Sequence, residues 1–451
     1  MDLKDKKVLV FGSGKSGIGA ADLLGAEGAR PVIYDGNEKT DREQVLGKTA
    51  GTYPVDFYAG ELPEEVPESL DLVVLSPGVP TDIPLVKRFY EMELPVWGEV
   101  ELAYRTGKGR VLAITGTNGK TTTTALLGKI MKDACPSVFV VGNIGMPYTS
   151  KAQEMQENSV TVVEISSFQL ETIEEFAPEV SAILNITEDH LNRHHTMEEY
   201  IRVKELITKN QSSEDVCVLN YEDEVLRKFG ETAVPKVVYF SSARTLEKGI
   251  YLEGDTIMLT TETAKIPVVK TGELKLLGQH NYENVMAAVA MAYYAGVDME
   301  SIRKSVCEFT AVEHRIEYVT EKNGVVYYND SKGTTPDAAI KGIQAMNRPT
   351  YLIGGGYDKE SSYDEWIQAF DGKVRCLVLI GQTKEKIKAA AERLGFTDIV
   401  LLENLQEAVH YCAEHAKEGE AVLLSPACAS WGQFDNYEQR GDMFKKYVSE
   451  L

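Results

Sequence analysis

Gly116-Thr-Asn-Gly-Lys-Thr121 sets two glycines, a lysine and a hydroxyl inside six consecutive residues, directly after the apolar β-branched run Val111–Thr115. That order reads as strand, loop and helix. Backbone N–H groups at a helix start converge on one spot and carry partial positive charge, so a polyphosphate can lie against Gly116, Thr117, Asn118 and Gly119 with no Cβ in its way. Lys120 would then reach the outer phosphates, and the hydroxyl of Thr121, with Thr122 beside it, would face Mg²⁺. Ile114 stands where the P-loop pattern has its first glycine, while the remaining G-K-T is intact. The plain alternative is a glycine-rich turn ahead of a threonine-rich helix.

A second phosphate-type pattern opens the chain. Lys7–Phe11 reads as a buried strand, Gly12-Ser-Gly-Lys-Ser-Gly17 follows, and a second strand ends at Asp35. Taken alone this is a dinucleotide fingerprint, with an acid placed to hold a ribose. The same geometry accepts any ligand with a pyrophosphate and a ribose, and Lys15 and Ser16 supply a charge and a hydroxyl suited to one. Asp71–Leu75 is the next strand, and Ser76-Pro-Gly78 leaves its carboxyl end, the edge where open α/β sheets bind ligands. An ordinary tight turn explains Ser76 and Gly78 equally.

Between these patterns lie the elements that must position them. A helix near Gly98–Tyr104 and the break Gly107-Lys-Gly109 precede the P-loop strand. Beyond it, Ser137–Val141 leads to Gly142-Asn143, and Val160–Val163 delivers Glu164, from which a carboxylate can meet a nucleotide-bound Mg²⁺. Val180–Leu184 delivers Asn185-Ile-Thr-Glu-Asp-His190-Leu-Asn-Arg-His-His195, which holds three of the seven histidines. Zinc is disfavoured there, since no helical i, i+4 His pair and no nearby thiolate occur. Met197–Asn210 has helical periodicity, with Tyr200 and Val203 on one face and Lys204 beside it; a snorkelling surface lysine is the simple reading. Residues 216–270 are rich in strands and suggest the end of a sheet plus a small added β layer. Asn281 and Asn284 then share a helix face, where amides can read an adenine edge.

Near residue 311 the pattern restarts. Glu313-His-Arg315 opens a strand, Val325–Asn329 follows, and Asp330-Ser-Lys332-Gly-Thr334 leads into an Ala-rich helix. Strands at 350–353, 376–380 and 421–424 each end in a glycine or small polar loop, on what must be one edge of a parallel sheet. The expected fold is therefore α/β in three domains: a Rossmann-like domain over 1–98, a central P-loop ATPase-like domain over 99–311, and a second Rossmann-like domain over 312–451. With 451 residues, several domains are the natural expectation.

Composition narrows the partners. A net charge of −22 argues against nucleic acid, which is held by concentrated Lys and Arg. No apolar run approaches a membrane span and no signal-peptide core precedes the first strand, so a cytoplasmic chain without a membrane partner is expected. Six cysteines without a C-x-x-C pattern suggest reduced thiols. Two phosphate-type sites and a third α/β domain suggest the joining of two substrates at the expense of ATP. A carboxylate is a poor electrophile until phosphorylated; the acyl phosphate can then be attacked by an amine.

Gly116-Thr-Asn-Gly-Lys-Thr, Glu164-Ile-Ser-Ser-Phe-Gln-Leu-Glu171, Asn185-Ile-Thr-Glu-Asp-His190, Glu313-His-Arg315, Asn329-Asp-Ser-Lys332 and Ser425-Pro-Ala-Cys-Ala-Ser430 together resemble the Mur ligase family over the whole chain. The resemblance implies an ATP- and Mg²⁺-dependent amide ligase of peptidoglycan precursor synthesis that works as a monomer on small molecules. Its Asp-Ser-Lys and Ser-Pro-Ala-Cys-Ala-Ser motifs favour the branch that adds D-glutamate to UDP-N-acetylmuramoyl-L-alanine. It places a UDP-sugar on Lys15, Ser16, Asp35, Gly36, Ser76 and Gly78, and its muramoyl part at Asn143. It assigns Lys120 and Thr121 to phosphates and Mg²⁺, makes Glu164 and His190 metal-site residues, and aligns Lys204 with a lysine that the family carbamylates. Asn281, Asn284, Arg315 and Asp330 would contact ATP, the last two on phosphate and ribose. Lys332, Thr334, Lys359, Ser430 and Tyr437 would form the D-glutamate pocket, with Trp431 beside it. Lys120, His190, Lys204 and Lys332 are the implied catalytic set.

The rivals are sister ligases for L-alanine, a diamino acid or a dipeptide, the folylpolyglutamate synthases, an NAD-dependent oxidoreductase suggested by residues 8–35 alone, and an ATP-sensing switch without ligation. No Asp-Asn-Pro-Arg motif for a diamino acid is present.

Overall fold

The computed structural model describes residues 2–143, 145–310 and 312–451. Three sheets succeed one another along the chain. The first comprises β1 (Lys7–Phe11), β2 (Arg30–Asp35), β3 (Asp56–Ala59), β4 (Leu72–Leu75) and β5 (Val96–Gly98), all parallel, in the order β3-β2-β1-β4-β5. Its strands are nearly continuous apolar runs because both faces are covered. Side chains alternate accordingly: Val8, Val10, Ile33, Leu72 and Val74 enter one core, while Leu9, Phe11, Val32, Val73 and Leu75 enter another.

The central sheet contains β6 (Arg110–Thr115), β7 (Val138–Gly142), β8 (Val160–Glu164), β9 (Val180–Ile183), β10 (Val216–Asn220), β11 (Lys236–Ser241), β12 (Gly249–Glu253), β13 (Thr256–Thr260) and β14 (Lys265–Lys270). Their order is β14-β13-β12-β11-β10-β9-β6-β8-β7. The strands from β7 to β12 run parallel, and β13 turns back antiparallel to β12. Residues 216–270 thus complete the sheet as expected, while the small added β layer proves to be a continuation of the same sheet at its edge, through β12, β13 and β14. A strand-rich composition does not say which edge receives each strand.

The third sheet has β15 (Glu317–Lys322), β16 (Val325–Asn329), β17 (Thr350–Gly354), β18 (Val374–Leu379), β19 (Ile399–Leu401) and β20 (Ala421–Leu424), ordered β15-β16-β20-β17-β18-β19, with only β15 antiparallel. Its two cores alternate in the same way, Leu352 and Leu423 on one face against Ile353 and Leu424 on the other. Glu313–Ile316, expected to begin a strand, instead forms a turn, with His314 at φ 64° and Ile316 at φ 47°.

The chain packs as two compact units, one of Met1–Val268 with Glu283–Ser305 and one of Val269–Tyr282 with Val306–Leu451. The first two sheets fall together because a single core runs from Val8 and Leu72 through Trp97, Val100 and Leu102 to Ala113 and Val163. The helix Glu99–Thr106 carries part of that core. Its Glu101, fully buried, accepts backbone N–H bonds from Glu174, Glu175 and Phe176 and pairs with Arg105 at 2.7 Å. A buried carboxylate so completely satisfied is a firm staple. No described helix is long and apolar enough to cross a membrane.

Candidate functional site

The glycine turn expected to hold phosphates lies in the first unit, between β6 and the helix Lys120–Ala134. Gly119 is the N-cap at φ 85°, and no side chain caps the helix start. A Cβ there would fall 2.2 Å from Asn284 Oδ1, so only glycine lets the loop lie against the helix Gln279–Tyr294. The amide of Asn284 also accepts from Thr123 Oγ at 3.3 Å. Ile114, where the P-loop pattern has glycine, is a fully buried strand residue paired with Glu164 in register, so the turn begins only at Gly116.

The far side of the loop is sewn to the turn after β9. Thr117 N donates to Asn185 O, Asn118 N donates to Asn185 Oδ1, and Thr117 Oγ donates to Thr187 O at 3.1 Å. Lys120 Nζ donates to the carbonyls of Gly116 and Thr117, each at 2.9 Å. Lys204 Nζ donates to the same Gly116 carbonyl at 2.8 Å, from the helix Met197–Glu205. Lys204 is only 1% exposed, and its ammonium is pushed down to about 7 by burial first and by the nearby Lys120 charge second. It is therefore a core lysine and not a snorkelling one. Its cation lies 4.7 Å over the ring of Tyr200, whose hydroxyl stands 3.1 Å from Thr117 Oγ.

Glu164 ends β8 beside this loop. Asn143 grips it twice, through its backbone N–H to Glu164 O and its amide to Glu164 Oε1, both at 2.8 Å. Glu164 Oε2 is buried without a hydrogen-bond partner among the described residues, a position that suits a cation better than a neutral neighbour. Thr121, half-buried, is the second residue of the helix, and Thr122 is buried. His190 is exposed in the left-handed region at φ 53°, with Nε2 3.4 Å from Asp189 and its ring 4.9 Å from Phe168.

At the first sheet's carboxyl edge, the dinucleotide-like turn is equally tight. A Cβ on Gly12, at φ 108°, would meet Ser76 Oγ at 2.6 Å. Lys15 begins the helix Lys15–Ala26 and is exposed, with Ser16 half-buried next to it and Gly36 and Gly78 exposed at the neighbouring strand ends. Asp35 receives N–H bonds from Ser13 and Asn37 and the Ser13 hydroxyl. Burial raises its carboxyl, but these donors outweigh it and hold the group below the usual range.

In the second unit the loops after β16, β20 and β17, three neighbours in the sheet, share one edge. Asp330 is buried; its carboxylate accepts from Ser425 Oγ at 2.7 Å and from Ile316 N at 3.3 Å, and burial pushes it up to about 7. Lys332 lies 5.5 Å over the Tyr437 ring and Lys359 lies 5.3 Å over Trp431. Thr334 is half-buried, and Ser430 is buried. Arg315 is exposed between the left-handed residues His314 and Ile316. Asn281 is buried, with its amide on Leu277 O at 2.7 Å. Sequence reasoning passed over Arg440. This 1% exposed guanidinium donates to Ser331 Oγ, Ser331 O and Cys428 O, tying together the loops that carry Lys332 and Ser430. The available signal was its place on the buried face of the helix Tyr437–Ser449, in line with Phe444 and Val448.

The histidines of the loop after β9 have separate partners. His194 meets Ser167 and Glu171, and His195 meets Asp82. In the cluster of Glu313, His314 and Asp442, both carboxylates already pair with Lys445, and His314 lies 3.8 Å from Asp442.

Comparison with known proteins covers this whole arrangement. Residues 6–98 match the family model of the Mur ligase MurD-like N-terminal domain, 114–292 that of the Mur ligase middle domain, and 314–428 that of the Mur ligase glutamate ligase domain. The chain is 57% identical over its full length, and 99% of the relative's, to the UDP-N-acetylmuramoylalanine–D-glutamate ligase of Lachnoclostridium phytofermentans. It is 45% identical to the ligase of the same name from Clostridioides difficile, with complete coverage of both chains. Among solved structures, UDP-N-acetylmuramate-alanine ligase from Thermotoga maritima superposes with a TM-score of 0.58 at 20% identity, covering 99% of this chain and 100% of that one. The MurF ligase of Thermotoga maritima in complex with ADP superposes at 0.56 and 16% identity, covering 100% and 99%. At such identities these two likenesses concern the fold.

Proposed function

The chain belongs to the Mur ligase family, and from that premise we propose that it joins D-glutamate to UDP-N-acetylmuramoyl-L-alanine, converting ATP to ADP and phosphate in peptidoglycan precursor synthesis. The terminal phosphoryl group of ATP passes to the carboxylate of the alanyl substrate. The amine of D-glutamate attacks the resulting acyl phosphate through a tetrahedral intermediate, and phosphate leaves. The observation that carries this reading is the convergence of Lys120, Lys204 and the uncapped helix start on the one loop 116–119. Such a site is made for transfer of a phosphoryl group and not of a hydride.

In this reading Gly116–Thr122 cradle the phosphates, and Asn281, Asn284, Arg315 and Asp330 hold the rest of ATP. Lys120 neutralises charge on the phosphoryl group in flight. Thr121, Glu164 and His190 would hold Mg²⁺, which when bound screens phosphate charge, and the unpartnered Glu164 oxygen fits that duty. Lys204, with its ammonium lowered to about 7, offers the neutral amine that carbon dioxide needs for carbamylation. The resulting carbamate adds a carboxylate at the loop that begins with Gly116, and a proton is released. Lys15, Ser16, Asp35, Gly36, Ser76 and Gly78 hold the UDP part, with Asn143 on the muramoyl side. Lys332, Thr334, Lys359, Ser430 and Tyr437 receive D-glutamate, the lysines countering its carboxylates. The domains run over 1–98, 99–311 and 312–451, and the enzyme acts as a cytoplasmic monomer on small molecules.

The deciding experiment offers the purified protein ATP, Mg²⁺, UDP-N-acetylmuramoyl-L-alanine and a panel of amino acids, and weighs the product. Mass corresponding to D-glutamate addition, with ¹⁸O carried from the substrate carboxylate into phosphate, is expected. Phosphate release that ignores the amino acid, or addition of another residue, would overturn it.

A further inference from the structure

Arg193 lies in the polar loop after β9, where three segments of the first unit cross. Its Nη2 lies 2.6 Å from Glu171 Oε2 and also donates to the carbonyl of Val79 at 3.0 Å, while the guanidinium sits 4.8 Å over the ring of Phe168. Phe168 in turn lies 4.9 Å from the ring of His190. Both partners of the ion pair are nearly enclosed, with side chains 12% and 11% exposed. Exposed pairs add little to stability, but this one is shielded and its guanidinium plane is used on both edge and face.

The segments it joins have different duties. Val79 and Thr81 follow Ser76 and Gly78 in the loop leaving β4, and Thr81 Oγ also reaches Glu171 at 3.5 Å. Phe168 and Glu171 follow Glu164, and Arg193 itself follows His190. A second thread leaves Glu171 through His194, whose ring lies 5.2 Å from Tyr200, the residue that touches Thr117 of the phosphate loop. A single guanidinium therefore touches both the β4 loop and Phe168, whose ring in turn meets that of His190.

We propose that Arg193 is a positioning residue that couples the seating of the UDP-substrate loop to the orientation of His190. The coupling rests on the functional reading above for the identity of the substrate, while its geometric half does not. When the β4 loop holds its ligand, Val79 O fixes the guanidinium, the guanidinium fixes Phe168, and Phe168 fixes His190. Lysine at this position can keep the bonds to Glu171 and Val79 but cannot lay a plane on Phe168.

Histidine-labelled protein tests this in two ways. In the ligand-free state, the His190 ring signal, assigned with His190→Gln, is expected to move in both Arg193→Met and Arg193→Lys, because the ring-current field of Phe168 changes. In steady-state assays, Arg193→Met should raise KM for UDP-N-acetylmuramoyl-L-alanine about tenfold and lower kcat, while KM for D-glutamate stays within about twofold. Arg193→Lys should keep KM and lose kcat alone. An unmoved His190 signal, or a parallel rise in the KM of every substrate with a lowered melting point, would overturn the proposal. Should the wild-type protein make no product, the functional reading fails while the spectroscopic half still decides the role of Arg193.

Discussion

Two buried cations, one in each compact unit, invite comparison. Lys204 and Arg440 are each 1% exposed, and neither has a carboxylate within ion-pair distance among the described residues. Lys204 is held by one carbonyl and faces Lys120, and its ammonium falls to about 7. Arg440 has three oxygen acceptors, and burial lowers it only to about 10, so it stays charged at neutral pH. The difference is chemical as well as electrostatic. A lysine can relieve burial by shedding its proton, which leaves a nucleophile, whereas a guanidinium cannot. The first site thus holds a group that can be modified, and the second a fixed positive charge beneath the loops proposed for a dicarboxylate.

The contrast is sharpest if each cation is removed in turn. Lys120→Ala, which takes away the charge opposed to Lys204, should abolish turnover, a loss on the order of 10³-fold or more in kcat by phosphate release. Lys204→Ala should be nearly inactive, losing on the order of 10²-fold or more, and small carboxylates such as formate or acetate should restore part of the rate. Lys204→Arg should be equally inactive and refuse rescue, since its charge persists and its bulk fills the space. Near-normal rates for Lys204→Ala without added carboxylate would erase the distinction between the two cations.

Arg440→Met tests the other half. Loss of the fixed charge and of the three bonds to Ser331 and Cys428 should raise KM for D-glutamate about tenfold, with KM for ATP changed less than about twofold. Arg440→Lys should fall between, because an ammonium cannot reach both loops at once. Equal rises in both KM values would make Arg440 a general staple of its helix.

How legible these features were in the sequence follows from their physics. Parallel strands covered on both faces announce themselves as apolar runs, so β1, β2, β4, β6 and β8 stood out, and their carboxyl ends marked Asp35, Ser76, Lys120 and Glu164. Short edge strands such as β3 and β19 bury little and leave no such run, and they were missed. The turn at His314–Ile316 was hidden because two non-glycine residues adopt positive φ there, which tertiary contacts must enforce: Ile316 is 5% exposed and bonds Asp330. Lys204 is singled out only by the family resemblance, and its burial is not legible, since a lysine one step from an apolar helix face reads like any surface lysine. Arg193 and Arg440 were overlooked for a related reason. An arginine's partners come from distant segments, 114 residues away for Val79 and 109 for Ser331.

The smallest effect concerns stability and separates the two cations without any assay of activity. Lys204 is charged in the unfolded chain up to its ordinary value of 10.5, but in the folded protein only below about 7. Between those values the unfolded state binds the extra proton, so folding is penalised as pH falls from 10.5 toward 7, and the full penalty is present below 7. In carbonate-free buffer, Lys204→Met should therefore melt higher than wild type at pH 6, by about 2–5 °C, and the gap should close as pH rises toward 10. Arg440→Met should show no such closing, because a guanidinium that is charged in both states up to about 10 gives no linkage over that range. A Lys204→Met difference that stays constant from pH 6 to 10, measured by differential scanning calorimetry, would mean that the lysine keeps its proton inside the fold and is no more ready for carbon dioxide than any surface amine.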